Sequence, residues 1–124
     1  MSGYNDFRSA ELRAPHVTVP FHISLEDESV DETAGLPVYC ALCREVAAYI
    51  TWSAGVVSGG ITFETSEDET YAGTWAPLAS EVAFSGTAPR KTVFNATGVY
   101  AWVRARISTV VAGGTGVTVR IGAG

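Results

Sequence analysis

Gly59–Leu78 reads GGITFETSEDETYAGTWAPL. Ile61, Phe63 and Thr65 alternate with Thr62, Glu64 and Ser66, the period of two of a strand with one buried face. Glu67-Asp68-Glu69-Thr70 interrupts the alternation with an acidic polar turn. Past Gly73 the chain returns through Thr74-Trp75-Ala76 and stops at Pro77. Two short period-two runs around a polar loop predict a β-hairpin.

The pattern extends in both directions. Downstream, Val82-Ala83-Phe84 and Thr92-Val93-Phe94 are strand candidates around a Ser85–Arg90 loop. Val99, Ala101, Val103, Ala105 and Ile107 then alternate with Tyr100, Trp102, Arg104 and Arg106. After Gly113-Gly114-Thr115-Gly116, Val117, Val119 and Ile121 alternate with Thr118 and Arg120, which predicts a terminal hairpin. Upstream, Val46, Ala48, Ile50 and Trp52 alternate with Glu45, Ala47, Tyr49 and Thr51, and Val38, Cys40 and Leu42 with Tyr39 and Ala41. A helix over 38–52 competes there, but the density of Val, Ile, Tyr, Thr and Trp favours strands. In the first strand Val17, Val19, Phe21, Ile23 and Leu25 form the apolar face and His16, Thr18, Pro20, His22 and Ser24 the other. Pro20 has no N–H for a ladder, which assigns this strand to a sheet edge or a bulge.

About eight short antiparallel strands between Gly- and Pro-rich turns define an all-β chain, a single jelly-roll-like β-sandwich. The 124 residues suffice for one domain over residues 16–124. Residues 1–15 are polar and aperiodic and read as an extended N-terminal arm.

Charged residues make up 17% of the chain, below the usual quarter, which fits a surface partly covered by a partner. The net charge of −5 is split: residues 1–81 hold all 13 acids against three arginines, and residues 82–124 hold five basic groups and no acid. An acidic total argues against nucleic-acid binding. Every apolar run is too short for a membrane-spanning helix, and the first fifteen residues lack a signal-peptide core. Synthesis in the cytoplasm without the Sec route, and no membrane partner, are the expectations.

Cys40-Ala-Leu-Cys43 is half of a zinc-knuckle spacing, but a structural site needs four ligands. On a strand, positions three apart face opposite sides, so Cys40 points inward and Cys43 outward or into a turn. Neither a shared metal nor a disulfide fits that geometry, and buried thiols are expected. His16 and His22, six residues apart on a strand, are separated by about 20 Å. The acidic loops 26–32 and 67–69 lack EF-hand spacing. No nucleophile stands in a recognisable motif. The expectation is therefore a protein that is not an enzyme, with no metal and no cofactor. Tyr100, Trp102, Arg104 and Arg106 are residue types enriched at interface hot spots, if the small Val/Ala/Ile face is core. The competing reading puts the aromatics in the core.

Gly60–Asp68 followed by Thr74-Trp75-Ala-Pro-Leu78 resembles a pattern of small tailed-phage virion proteins: a strand ending in an acidic S-x-D turn, then a Thr-Trp-x-x-Leu strand. The resemblance continues in the strand Ala47–Trp52 with the turn Ser53-Ala-Gly55, in Gly98–Arg104 and in the Gly-Thr-rich hairpin Gly113–Ile121, so it covers roughly residues 45–121. Asp68-Glu69 departs from the usual Asp-Gly and implies a longer or differently shaped turn. The resemblance implies a virion β-sandwich: a capsid decoration or cement protein, or a tail or head-fibre appendage that binds host-surface glycan. The implied partners are the major capsid protein or other virion proteins, with homo-oligomers, trimers among them. Tyr4, Phe7, Arg8 and Arg13 of the arm and Tyr100, Trp102, Arg104, Arg106 and Arg120 are the expected interface residues.

Overall fold

The structure is a computed structural model that describes residues 19–40, 43–86 and 90–124. These hold nine strands and no helix: β1 (Val19–Glu28), β2 (Val38–Tyr39), β3 (Glu45–Trp52), β4 (Ser58–Ser66), β5 (Ala76–Pro77), β6 (Val82–Ser85), β7 (Lys91–Thr97), β8 (Trp102–Ala112) and β9 (Val117–Ala123). Every pairing is antiparallel. One sheet has the order β1-β9-β3-β7; the other has β2-β8-β4 with β5 and β6 side by side along the outer edge of β4. The pairs β1–β9, β2–β8, β3–β7 and β4–β6 are nested in sequence, like one long hairpin. Rolling that ribbon on itself brings β9 beside β3 and β8 beside β4, which is the jelly-roll arrangement.

The core lies between the sheets and is filled by the faces with period two. Val46, Ala48 and Ile50 of β3, Val103, Ala105 and Ile107 of β8, and Val117, Val119 and Ile121 of β9 are fully enclosed. Phe63 of β4 stacks on Phe94 of β7 across the sheets, with centroids 4.2 Å apart. Trp52 of β3 stacks on Phe84 of β6 at 4.6 Å. Residues 59–78 form the expected hairpin, but β5 starts at Ala76, later than the expected Thr74.

The terminal hairpin does not form. β8 and β9 follow one another in sequence but belong to opposite sheets, so the Gly113–Gly116 turn arches over the end of the core. Periodicity reports which residues face inward; it does not report the neighbouring strand. Val99 is also not part of the buried row. It is exposed, and β8 starts only at Trp102.

The first strand departs from simple alternation as well. β1 is an edge strand with register shifts, as Pro20 implied. Leu25 pairs with Val119 but Ile23 pairs with the next residue, Arg120, so Ser24 is an extra residue in β1. Ser24 and Leu25 are both buried, whereas Phe21 and Ile23 turn outward. Ser24 Oγ donates to the Leu36 carbonyl at 2.9 Å and accepts from the Ala105 N–H of the opposite sheet at 3.0 Å. The bulge thus places a hydroxyl where the two sheets need a polar tie.

Cys40 and Cys43 are both buried and form no disulfide among the described residues. β2 ends at Tyr39, and the Cys43 N–H donates to the Cys40 carbonyl at 3.0 Å, closing a turn. Of the two positions expected for Cys43, outward or into the turn before the next strand, the structure shows the turn, and the thiol is buried there. Burial, followed by the charge of neighbouring Cys43, pushes the Cys40 thiol up to about 11.

Replacing Phe63 by Ala leaves a cavity against Phe94 and should cost about 3–5 kcal/mol. Urea unfolding with an unchanged slope and a lower midpoint would report it.

Candidate interaction surfaces

The outer face of the β2-β8-β4 sheet carries the basic strand. Glu64 on β4 lies directly across from Arg104 on β8, and Thr62 across from Arg106. The Glu64 side chain is only 7% exposed. It accepts from Arg104 Nε at 3.1 Å through one oxygen and from Arg106 Nε at 2.8 Å through the other. Arg106 also donates to Glu32 at 2.8 Å. The hydrogen bond to Glu64, aided by the charges of Glu64 and Glu32 and opposed by partial burial, raises the Arg106 pKa above its already high ordinary value. Further along the face, the Ser108 and Thr109 hydroxyls donate to Glu81 at 2.5 and 2.6 Å, and Thr62 donates to Ser108 at 2.8 Å. Those two hydroxyls, Ser108 first, hold the Glu81 carboxyl below the usual range.

The β4–β5 loop folds onto this face. Trp75 is 2% exposed yet stands apart from the inter-sheet core. Its ring lies under the Arg104 guanidinium, 4.2 Å from Cζ to centroid. Its indole N–H donates to the Tyr71 carbonyl at 3.0 Å. Beyond Trp75, the loop and the segment entering β8 bound an open cleft of about 600 Å³. Asp68, Tyr71, Thr74, Val99 and Tyr100 are among the residues that line it.

The outer face of the β1-β9-β3-β7 sheet is different. Ile23, Arg120, Tyr49 and Val93 form one cross-strand row over four strands, and all four are exposed. Phe21 packs on Tyr49 at 4.9 Å. Arg120 has no ion-pair partner among the described residues.

The expected interface residues thus separate into groups. Tyr4, Phe7, Arg8 and Arg13, and with them the arm, lie outside the described residues. Arg104 and Arg106 sit together and are paired within the chain. Arg120 does not join them; it is on the opposite outer face because β9 belongs to the other sheet. Trp102 is half-buried against Tyr39, with centroids 4.9 Å apart. The Tyr100 hydroxyl donates to the Thr97 carbonyl at 3.3 Å. Glu64 escaped the sequence reading, although a lone acid amid Ile, Thr and Phe on a strand was a signal for a buried partner. His22 is exposed on β1, and His16 lies outside the described residues. No group of three His, Cys, Asp or Glu that could hold a metal exists among the described residues. None of them forms a helix long and apolar enough to cross a membrane.

No protein-family profile, curated protein or solved structure matches the chain.

Removing one partner from a buried ionic cluster costs about 3–5 kcal/mol. Both guanidinium groups keep nearly a quarter of their side-chain surface in water. Glu64→Ala should therefore fall at the lower end, about 3 kcal/mol, measured by urea unfolding. Glu81 is depressed in the folded state, so its contribution is present above the ordinary carboxylate value and is lost as pH falls through the lower folded value. The double variant S108A/T109V should lose less thermal stability than the parent between neutral pH and about pH 3.

Proposed function

We propose that the chain is a structural protein of a tailed-phage virion, a cement subunit that decorates the assembled capsid. One observation carries this reading: the open outer face where Phe21, Ile23, Tyr49 and Val93 accompany Arg120, which has no ion-pair partner among the described residues. Exposed aromatic and aliphatic groups around one arginine have the composition of a hot-spot patch. The jelly roll is a common architecture of viral capsid and lectin domains, an analogy at the level of fold. The resemblance over residues 45–121 points the same way.

On this reading the partner is the major capsid protein or another virion protein, and Arg120 meets a carboxylate on it. Arg104 and Arg106 stiffen the domain. Arm residues Tyr4, Phe7, Arg8 and Arg13 add further contacts to the neighbouring virion protein. Neighbouring copies, as trimers or another oligomer, complete the attachment.

The test uses the full chain and capsids that lack it, from the phage whose genome carries its gene. Tyr49→Ala and Arg120→Glu should each weaken co-sedimentation by about tenfold or more. Deleting residues 2–14 should lower occupancy further. Unchanged binding by Y49A/R120E would remove the proposed face, and failure of the parent chain to bind would remove the function.

A further inference from the structure

The cleft between the β4–β5 loop and the segment entering β8 has a construction unlike either outer face. Its volume of about 600 Å³ is within the range of small-molecule sites. Two tyrosines line it, and each ring is backed by a glycine. The Tyr71 ring fills the space that a Cβ at Gly73 would need, and the Tyr100 ring fills that of a Cβ at Gly98. The Gly98 backbone has φ of 140°, which other residues rarely adopt. The tip of each ring therefore lies close to bare glycine backbone.

The loop itself is fixed. Trp75 holds the Tyr71 carbonyl through its indole N–H, and the Tyr71 N–H donates to the Asp68 carbonyl at 3.2 Å. The Thr70 N–H and hydroxyl both donate to Asp68 Oδ1, at 3.0 and 2.9 Å. Asp68 Oδ2, the Glu67 carboxylate and the Thr74 and Tyr71 hydroxyls have no partner among the described residues. The cleft thus brings together two tyrosine rings and a rim of hydrogen-bond acceptors and hydroxyls.

We propose that this cleft binds a neutral pyranose. Ring C–H groups of the sugar lie against Tyr71 and Tyr100, and sugar hydroxyls donate to Glu67 and Asp68. The carboxylates disfavour an anionic sugar, since burying like charges together is costly. A peptide added as a strand at the adjacent edge is disfavoured because Pro77 of β5 has no N–H to pair. The loop is already tied by its own hydrogen bonds, so less entropy is lost on binding than for an untied loop. Sugar binding here is independent of attachment to a capsid, because the cleft and the Arg120 face lie on different sheets.

The full chain is tested by saturation-transfer NMR with the methyl glycosides of glucose, galactose, mannose and N-acetylglucosamine, with sialic acid as the anionic comparator. An array of neutral oligosaccharides then separates a surface glycan from a free sugar. At least one neutral glycoside should receive saturation, strongest at its ring C–H protons, and sialic acid should receive less. Tyr71→Ala should weaken binding about tenfold, the equivalent of about 1.4 kcal/mol, while Tyr71→Phe keeps it within about threefold. Glu67→Gln, at an exposed site that leaves folding intact, should narrow the preference over sialic acid. The proposal is overturned if no neutral glycoside binds the folded chain. It is equally overturned if sialic acid binds as well as the neutral sugars, or if a lysine-rich peptide and no sugar shifts the Tyr71 resonances. Capsid binding, read on Y49A/R120E, fails or survives separately from each of these outcomes.

Discussion

A carboxylate cannot be buried on a sheet without compensation, and Glu64 is nearly enclosed on the outer face of β4. Arg104 and Arg106 supply it by donating one Nε each to its two oxygens. The cluster does not have to add net stability over an apolar alternative. What it does is fix positions. Arg104, held by Glu64, lies over Trp75; Trp75 holds the backbone of Tyr71; Tyr71 forms one wall of the cleft. The path of the β4–β5 loop therefore follows from a pairing requirement in the middle of the sheet. Glu32 extends the same cluster to the loop after β1.

Much of the fold was legible because three strands obey strict alternation. The inward rows of β3, β8 and β9 were readable as Val, Ala or Ile at every second position, and they are enclosed. The exceptions have one cause in common: they depend on contacts remote in sequence. β8 and β9 read as a hairpin, yet the nested pairing sends them to opposite sheets. In β1 the alternation reverses at Ser24, because the Ala105 N–H on the other sheet needs an acceptor there. The sequence around Ser24 carries no sign of that need. Cys43, by contrast, takes one of its two expected positions, in the local turn after β2, where it is buried.

The working surfaces were less legible than the core. Tyr100, Trp102, Arg104 and Arg106 read as an open basic-aromatic face, since alternation cannot distinguish a face in water from one covered by a loop. The Glu67–Thr70 turn read as a solvated loop. It is exposed as expected, but its neighbour Tyr71 lines the same cleft as Tyr100, a relation that the pairing of β4 with β8 creates. Arg120 looked equivalent to the other arginines because strand membership, not composition, sets its side of the sandwich.

The two outer faces therefore differ in what they have left to offer. On the β2-β8-β4 side, charges are matched within the chain, and a partner would have to break those pairs before gaining its own. On the β1-β9-β3-β7 side, Arg120 stands unpaired among the described residues and Phe21, Ile23, Tyr49 and Val93 are already in water as an apolar surround. Covering that surround removes apolar area from water at about 25 cal/mol per Å² before association costs. Desolvating Arg120 is unfavourable unless an acid meets it. The same arginine thus rewards a partner with a correctly placed carboxylate and penalises an apolar surface without one. On the proposed reading, affinity would come from the apolar surround and discrimination from Arg120, a division of labour that the self-matched face cannot provide.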